Sequence, residues 1–484
     1  MGDNHFNITI KKTRLRLNPL PVLFALIFLS QLLYCSEAIC QKEILVSSMS
    51  ELKSAVKKNH SGSEILLADG IYRGETVLQS KTGTEKKPLI IRAKNRGKAV
   101  IGSTVTLKGN HLALLSCRFQ EEGNIIIEGK NIRLGRCFFS DSKATKWVRI
   151  VSGSSNIEID HNLFENKSIN QTEKSCQLMQ LIVLNQNEQH HIHHNLFRDI
   201  PPGQGNGYET IQLITKGNPF DPPPGDCHTL IENNLFIRCN GEAEVISIKS
   251  NGNLVRGNTF RACRGSLVFR HGDNNVATRN SFFGDGEAGS GGVRIQGTDQ
   301  VVANNHFSGL GQFGIGMMDG TPDDLYIQVE RAQILFNSFI DCSPAMVIGI
   351  SHPKHPNGTS PKDCLIAGNI YYTNKQQPLF VLIQDDPPKN WSWENNVSSW
   401  ETGMVIKDGM RVVNPRLFVQ ENGLAYPTEE TPSMNWEEDH CWFLNIDLLG
   451  QNRRNPKTLG AIQFPVEEKT MGFLKEEMVG PDAQ

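Results

Sequence analysis

From about residue 110 to residue 375 the apolar and polar positions repeat one phrase, roughly apolar-x-apolar-x-x-Asn-x-Phe. It reads Ile157-Glu158-Ile159-Asp160-His161-Asn162-Leu163-Phe164, then His194-Asn195-Leu196-Phe197, and returns at Asn234-Leu235-Phe236, Asn258-Thr259-Phe260 and Asn280-Ser281-Phe282. Later copies are Asn305-His306-Phe307, Asn337-Ser338-Phe339 and the altered Asn369-Ile370-Tyr371; earlier ones, around Phe119 and Phe139, keep the Phe and lose the Asn. Alternation with period two predicts brief strands, and intervals of about 22 to 39 residues fit one coil of three strands with occasional loop insertions. No such coil can bury its own apolar face, so coils must stack. An all-β, single-stranded parallel β-helix follows. Asn suits the corner because it tolerates left-handed backbone and can bond to its counterpart one coil away, while Phe stacks inside. A leucine-rich horseshoe would need a Leu-x-x-Leu-x-Leu frame with helical returns, and the chain has neither.

The flanks differ from the repeat. Ser48-Met49-Ser50-Glu51 has the form of a capping box, and Leu52, Ala55 and Val56 follow at helical spacing, which predicts a short helix through about Lys58. Its expected task is to cap the open first coil. Past residue 375 the repeat fades into prolines and Trp391, Trp393, Trp400, Trp436 and Trp442, read as an irregular segment, 376–484, packing on the last coils. At the other end Lys11, Lys12, Arg14 and Arg16 precede an apolar run from Leu20 to Tyr34 and the small-residue site Ser36-Glu37-Ala38. That is a signal peptide over 1–38, leaving the β-helix at 39–375 and a secreted, extracellular or periplasmic protein with no stable membrane insertion.

The 484 residues carry a formal charge of only −2, which excludes a general nucleic-acid binder. Export permits disulfides, and Cys117 with Cys137, or Cys239 with Cys263, hold matching places in adjacent coils; a ladder of buried thiols fits equally. Sequons at Asn59, Asn166, Asn170, Asn357, Asn390 and Asn396 are possible glycan sites. The run His190-His191-x-His193-His194 lies on a repeat strand, so its side chains alternate faces and do not form a metal site.

Three charged islands interrupt the strands: Glu242 to Lys249, Leu267 to Gly272, and Gly291 to Gln296. If a coil is this long, Lys249, Arg270 and Arg294 form an approximate cationic column, with His271 beside it. Like charges on one ladder repel, by roughly 3 kcal/mol per pair at about 5 Å and an effective dielectric near 20. A fold accepts that more readily when an anionic partner lies across it, and such crowding suits Lys249 to act as a general base. Glu242 and Glu244 share one strand face as hard oxygen ligands for Ca²⁺ would. Lys249 has the opposite parity, so a bend must intervene for all three to meet. One coil earlier, Tyr208, Glu209 and Gln212 add polar candidates, Gln212 as a third oxygen ligand.

The series Asn206-Gly207-Tyr208-Glu209-Thr210-Ile211, then Glu242-x-Glu244-x-Ile246-x-x-Lys249-Ser250, Arg270-His271-Gly272 and Gly292-Val293-Arg294 resembles polysaccharide lyase family 6, the alginate lyases and chondroitinase B. Leu67-Ala68-Asp69-Gly70-Ile71-Tyr72 resembles its opening coils. The resemblance implies a right-handed β-helix and β-elimination at uronic acids. It makes Lys249 the base and Arg270 the acid, with Ca²⁺ on Glu242, Glu244 and Gln212, where Gln replaces the family's Asn. Arginine holds its proton tightly, so Arg270 is equally a stabiliser of developing charge, with His271 or water as donor. Arg294, His271, Glu209 and Tyr208 are read as substrate-binding.

The expected protein is therefore a monomeric lyase acting on an anionic polysaccharide, alginate before dermatan sulfate. A pectin-type hydrolase would need several inward Asp residues on neighbouring coils, and none accompany Lys249. A β-helix that only binds acidic glycans would keep the cations but need no Glu pair beside a base.

Overall fold

Ile157, Ile159 and Phe164, the apolar positions of one repeat phrase, are fully buried, and their counterparts are buried in coil after coil. The computed structural model describes residues 43–483, apart from 59–60, 169–174, 219–222, 384–388, 405, 407, 437–440 and 468–471. These belong to a unit starting at Lys42. The expected signal peptide and the sequons at Asn59 and Asn170 fall outside the described residues.

The coils stack into a parallel β-helix with three strands per turn. Two of its faces join in one 24-stranded sheet through the long strands Thr104–Leu115 and Asn124–Gly135, and the third face is a 14-stranded sheet. The first face carries the strands that matter below: β1 (Met179–Val183), β2 (Ile211–Thr215), β3 (Glu244–Lys249), β4 (Gly265–His271) and β5 (Ser290–Ile295).

Inside, the rings of Phe119, Phe139, Phe164, Phe197, Phe236, Phe260, Phe282, Phe307, Phe339 and Tyr371 form one stack with neighbouring centroids 4.2 to 5.0 Å apart. At the adjacent corner each Asn amide donates to the Asn Oδ1 of the next coil, from Asn162 through Asn369 to Asn396. The left-handed residue is not the Asn, as the sequence reading had it, but the residue before it, including His161, His194, Arg279 and Phe336. Asn396 extends the ladder one coil beyond the last copy recognised in the sequence. Its sequon is fully buried, with the amide committed to Ile366 O, so it is a ladder residue and not a glycan site.

The helix α1 (Met49–Lys58) lies against the first strands with Met49, Leu52, Ala55 and Val56 inward. Ser48 Oγ accepts from Glu51 N, as a capping box requires, but the returning Glu51 carboxylate takes Ser47 N and Oγ instead.

The strand ladders run past residue 375 and end at Met410–Val412. Beyond them, Met434, Trp436, Leu444 and Leu459 cover Val301, Ala303, Leu335, Phe336 and Ala367 on the second face. The tail then runs back over the third face, where Arg198 pairs with Glu476 and Arg136 donates to the carbonyls of Pro481 and Ala483. All nine described cysteines are buried free thiols, so neither candidate disulfide forms.

Candidate active site

The bend needed to bring Glu244 and Lys249 together is a β-bulge. Glu244 pairs with Ser266 and Ile246 with Leu267, leaving Val245 as an extra residue. Val245 and Ile246 both turn into the core, which resets the alternation and puts Glu244 on the outward side with Ser247 and Lys249. A second irregularity pairs Lys249 with His271 and leaves Arg270 as the extra residue of β4. A third lies between Gly265 and Leu267 against β5, just before Val293 and Arg294. Bulges on three successive strands thus aim the charged side chains.

The cationic column is consequently offset. Arg294 sits in register with Val268, and Lys249 with His271, so the three cations do not stack on one another. Their charge is compensated within the protein. Arg270 Nη1 donates to Glu244 Oε1 at 2.8 Å, and Arg294 Nη2 donates to the same oxygen. Lys249 Nζ lies 3.7 Å from Glu209 Oε1. Each arginine retains a buried Nε–H without a hydrogen-bond partner.

Glu209, Glu242 and Glu244 converge, with one carboxylate oxygen of each within 4.8 Å of the others. Burial, then the charges of Glu209 and Glu244, push Glu242 up to about 9. Burial would raise Glu244 too, but Arg294, Arg270 and Lys249 outweigh it and hold it below the usual carboxylate range. Glu209 Oε2 and Glu244 Oε2 are buried and accept no hydrogen bond. Such a group is costly without positive charge among its oxygens, and it fits a metal ion.

Gln212 is placed differently from the expectation. Its Nε2 donates to Glu209 Oε1 and its Oε1 accepts from Gln180 Nε2, both at 2.7 Å. One of the two acceptor positions of the amide oxygen is therefore taken, and Glu209, read from sequence as a substrate contact, is the third carboxylate of the acidic cluster. Gln180 was missed: loop insertions hide that it is one strand from Gln212 in exact register. Tyr208 is also not an open contact. Its ring is buried where a Cβ on Gly203 would overlap it, so it shapes the wall. His271 is buried as well, and burial followed by the charges of Arg270 and Lys249 pushes it down to about 3. The ring of the free protein is therefore neutral near neutral pH, with its N–H as the group it could offer a substrate.

The histidine run behaves as the alternation predicts, His191 and His193 lying on one side of their strand on the second face, with Ile192 in the core. His193 does meet Glu158 and Asp160 within 4.8 Å. Arg133 already sits on Asp160 through two bonds of 2.7 Å, so the positive charge at that cluster is the protein's own.

Residues 46–435 match the family model for Chondroitinase B. Among solved structures, the family 6 alginate lyase AlyGC is 26% identical with a TM-score of 0.69; the match covers 80% of this chain and 55% of AlyGC, so the chain spans about half of that protein. A mannuronic acid specific family 6 lyase from human gut microbiota is also 26% identical, with 77% and 91% covered and a TM-score of 0.66. A family 6 polysaccharide lyase from Pseudopedobacter saltans shares the fold at 21% identity, with 91% and 99% covered and a TM-score of 0.65. No curated protein matches the chain. The fold is that of the β-helical polysaccharide lyases. The chain belongs to the chondroitinase B family, polysaccharide lyase family 6.

Proposed function

We propose that this protein depolymerises a uronate-containing polysaccharide by Ca²⁺-assisted β-elimination, leaving 4,5-unsaturated ends. Alginate is the first candidate, because the relatives at 26% identity are described as alginate and mannuronic acid lyases; dermatan sulfate is the second. One observation carries the reading: three carboxylates, Lys249, Arg270 and Arg294 meet on one outward face. The all-oxygen donor set of Glu209, Glu242 and Glu244 suits a hard cation such as Ca²⁺. When bound there, the ion supplies neutralisation of the substrate carboxylate, which acidifies the adjacent C5 proton. Lys249 as the free amine takes that proton. The C5–H electrons form the C4=C5 double bond as the C4–O bond breaks. Arg270 and Arg294, each with a spare Nε–H, stabilise the charge that develops on the substrate. The departing oxygen is protonated by Arg270, His271 or water. Gln180 and Gln212 hold Glu209 in place.

Secretion through a signal peptide over 1–38 and action as a monomer belong to the same proposal. Among the described residues no helix is long and apolar enough to cross a membrane. The test is incubation with alginate, dermatan sulfate and polygalacturonate, with and without Ca²⁺, following the ultraviolet absorbance of the unsaturated product. Absence of signal on every uronate polymer sinks the lyase reading, and reducing ends without absorbance indicate a hydrolase.

A further inference from the structure

The outward row that holds Gln212 and Ser247 continues away from the acidic cluster. Ser247 pairs with Gln212, Gln212 with Gln180, and Gln180 with Arg149, each in direct register. At that end the first face opens into a cavity of about 930 Å³, lined among others by Glu122, Lys143, Lys146, Arg149 and Gln180. Gln180 belongs to both places: it lines the cavity and donates to Gln212, which in turn holds Glu209. The cavity and the catalytic groove are therefore one surface. Three strand spacings, about 14 Å, separate the Arg149 strand from β3.

The wall bearing the two lysines is built with unusual care for a loop between strands. Lys167, only 3% exposed, spends its amine on the carbonyls of Ala144 and Thr145 at 3.2 and 2.8 Å. Trp147, fully buried, donates its indole N–H to Ser142 O, and Ser142 Oγ donates to Gly123 O. Lys146 Nζ is fixed on Ser175. Burying a lysine to hold a loop costs desolvation, and the loop it holds presents Lys143 and Lys146 to the cavity. Arg149 is exposed and has no ion-pair partner among the described residues.

We propose that this cavity is a distal binding segment for the polyuronate chain, with Arg149, Lys143 and Lys146 taking carboxylates several sugar units from the scissile bond. The proposal rests on the lyase reading above and extends it: the enzyme grips long chains better than short ones. Arg149 acts on affinity and not on the chemical step, because it lies beyond reach of the reacting atoms.

The test compares Arg149→Ala and the pair Lys143→Ala/Arg149→Ala with wild type on polymeric alginate and on a trisaccharide. KM for the polymer rises about five- to tenfold with kcat unchanged, while KM for the trisaccharide stays put. An unchanged polymer KM, or an equal rise for both substrates, overturns the proposal. If wild type cleaves no uronate polymer, the lyase reading has failed, and the cavity is judged by retention on immobilised alginate and dermatan sulfate. Retention weakened in the double variant then supports a polyanion-binding cavity; retention equal to wild type overturns it.

Discussion

Arg270 and Glu244, residues of neighbouring strands, are joined at 2.8 Å with the carboxylate almost fully enclosed, and Arg294 from one coil further reaches the same oxygen. This triad is the electrostatic centre of the groove. An acid surrounded by two guanidinium groups stays ionised in the core wall and keeps both arginines aimed at the open face. Removing its charge leaves two half-buried cations facing each other. Glu244→Gln is therefore expected to lower unfolding stability by about 3–5 kcal/mol, as well as to abolish turnover. Chemical denaturation reads this directly, and wild-type stability in the variant would show that the arginines do not depend on Glu244.

Much of this was legible in the chain, and the limit has a physical cause. Phe and Asn recur because each must meet its own kind one coil away, so the solenoid and its inner stack could be read from Phe164 or Asn280 alone. Parity also told that a bend must separate Glu244 from Lys249, and the bulge at Val245 is that bend. Lys249, Arg270 and Arg294 lie 9, 10 and 11 residues before their corner Asn, a drift that left room for bulges, but where the bulges fall and that Arg294 pairs with Val268 could not be read, since one extra residue shifts a register without altering the repeat. The grouping of Glu209 with Glu242 and Glu244 could not be read for the same reason: residue type marks both Glu209 and Gln212 as oxygen donors, but only the structure shows which carboxylates converge and that Gln212 is bonded to Gln180 and Glu209.

The corner ladder sets a second expectation. Asn280 is buried; its amide donates to Val255 O and Asn305 Oδ1, and its Oδ1 accepts from the backbone and side chain of Asn258. Asn280→Ala strands several of these partners at once, for a loss of roughly 3 kcal/mol. Phe282→Ala, one step inward, removes a ring from the stack and costs about 3–5 kcal/mol. Thermal and urea unfolding of both variants provide the check; losses below about 1 kcal/mol would mean the ladders are ornamental.

Metal dependence separates the two candidate third ligands. Glu209→Gln should weaken Ca²⁺ binding by at least tenfold, because it removes a charge from the cluster. Gln212→Ala acts only through the loss of one bond to Glu209 and should weaken binding less. Calorimetric titration of the two proteins with Ca²⁺ gives the order, and a larger effect at Gln212 would return that residue to the ligand set.

Acid should reveal Glu232, on the second face away from the groove. Burial alone would raise this carboxyl, but its bonds to His191 and Arg256 at 2.9 and 2.6 Å outweigh burial and hold it at about 2, against an ordinary value of 4.5. Its folded-state value is thus depressed, and between the two values the unfolded chain binds more protons than the folded one. The contribution is fully present above about pH 4.5 and is lost as the pH falls through about 2, with an amplitude on the order of 3 kcal/mol. Glu232→Gln should be less stable than wild type at pH 7 by that order, and the two stability curves should converge as the pH approaches 2. Unfolding free energies measured from pH 7 downward test the sign, and curves that stay parallel would show that the pair contributes no pH-linked stability.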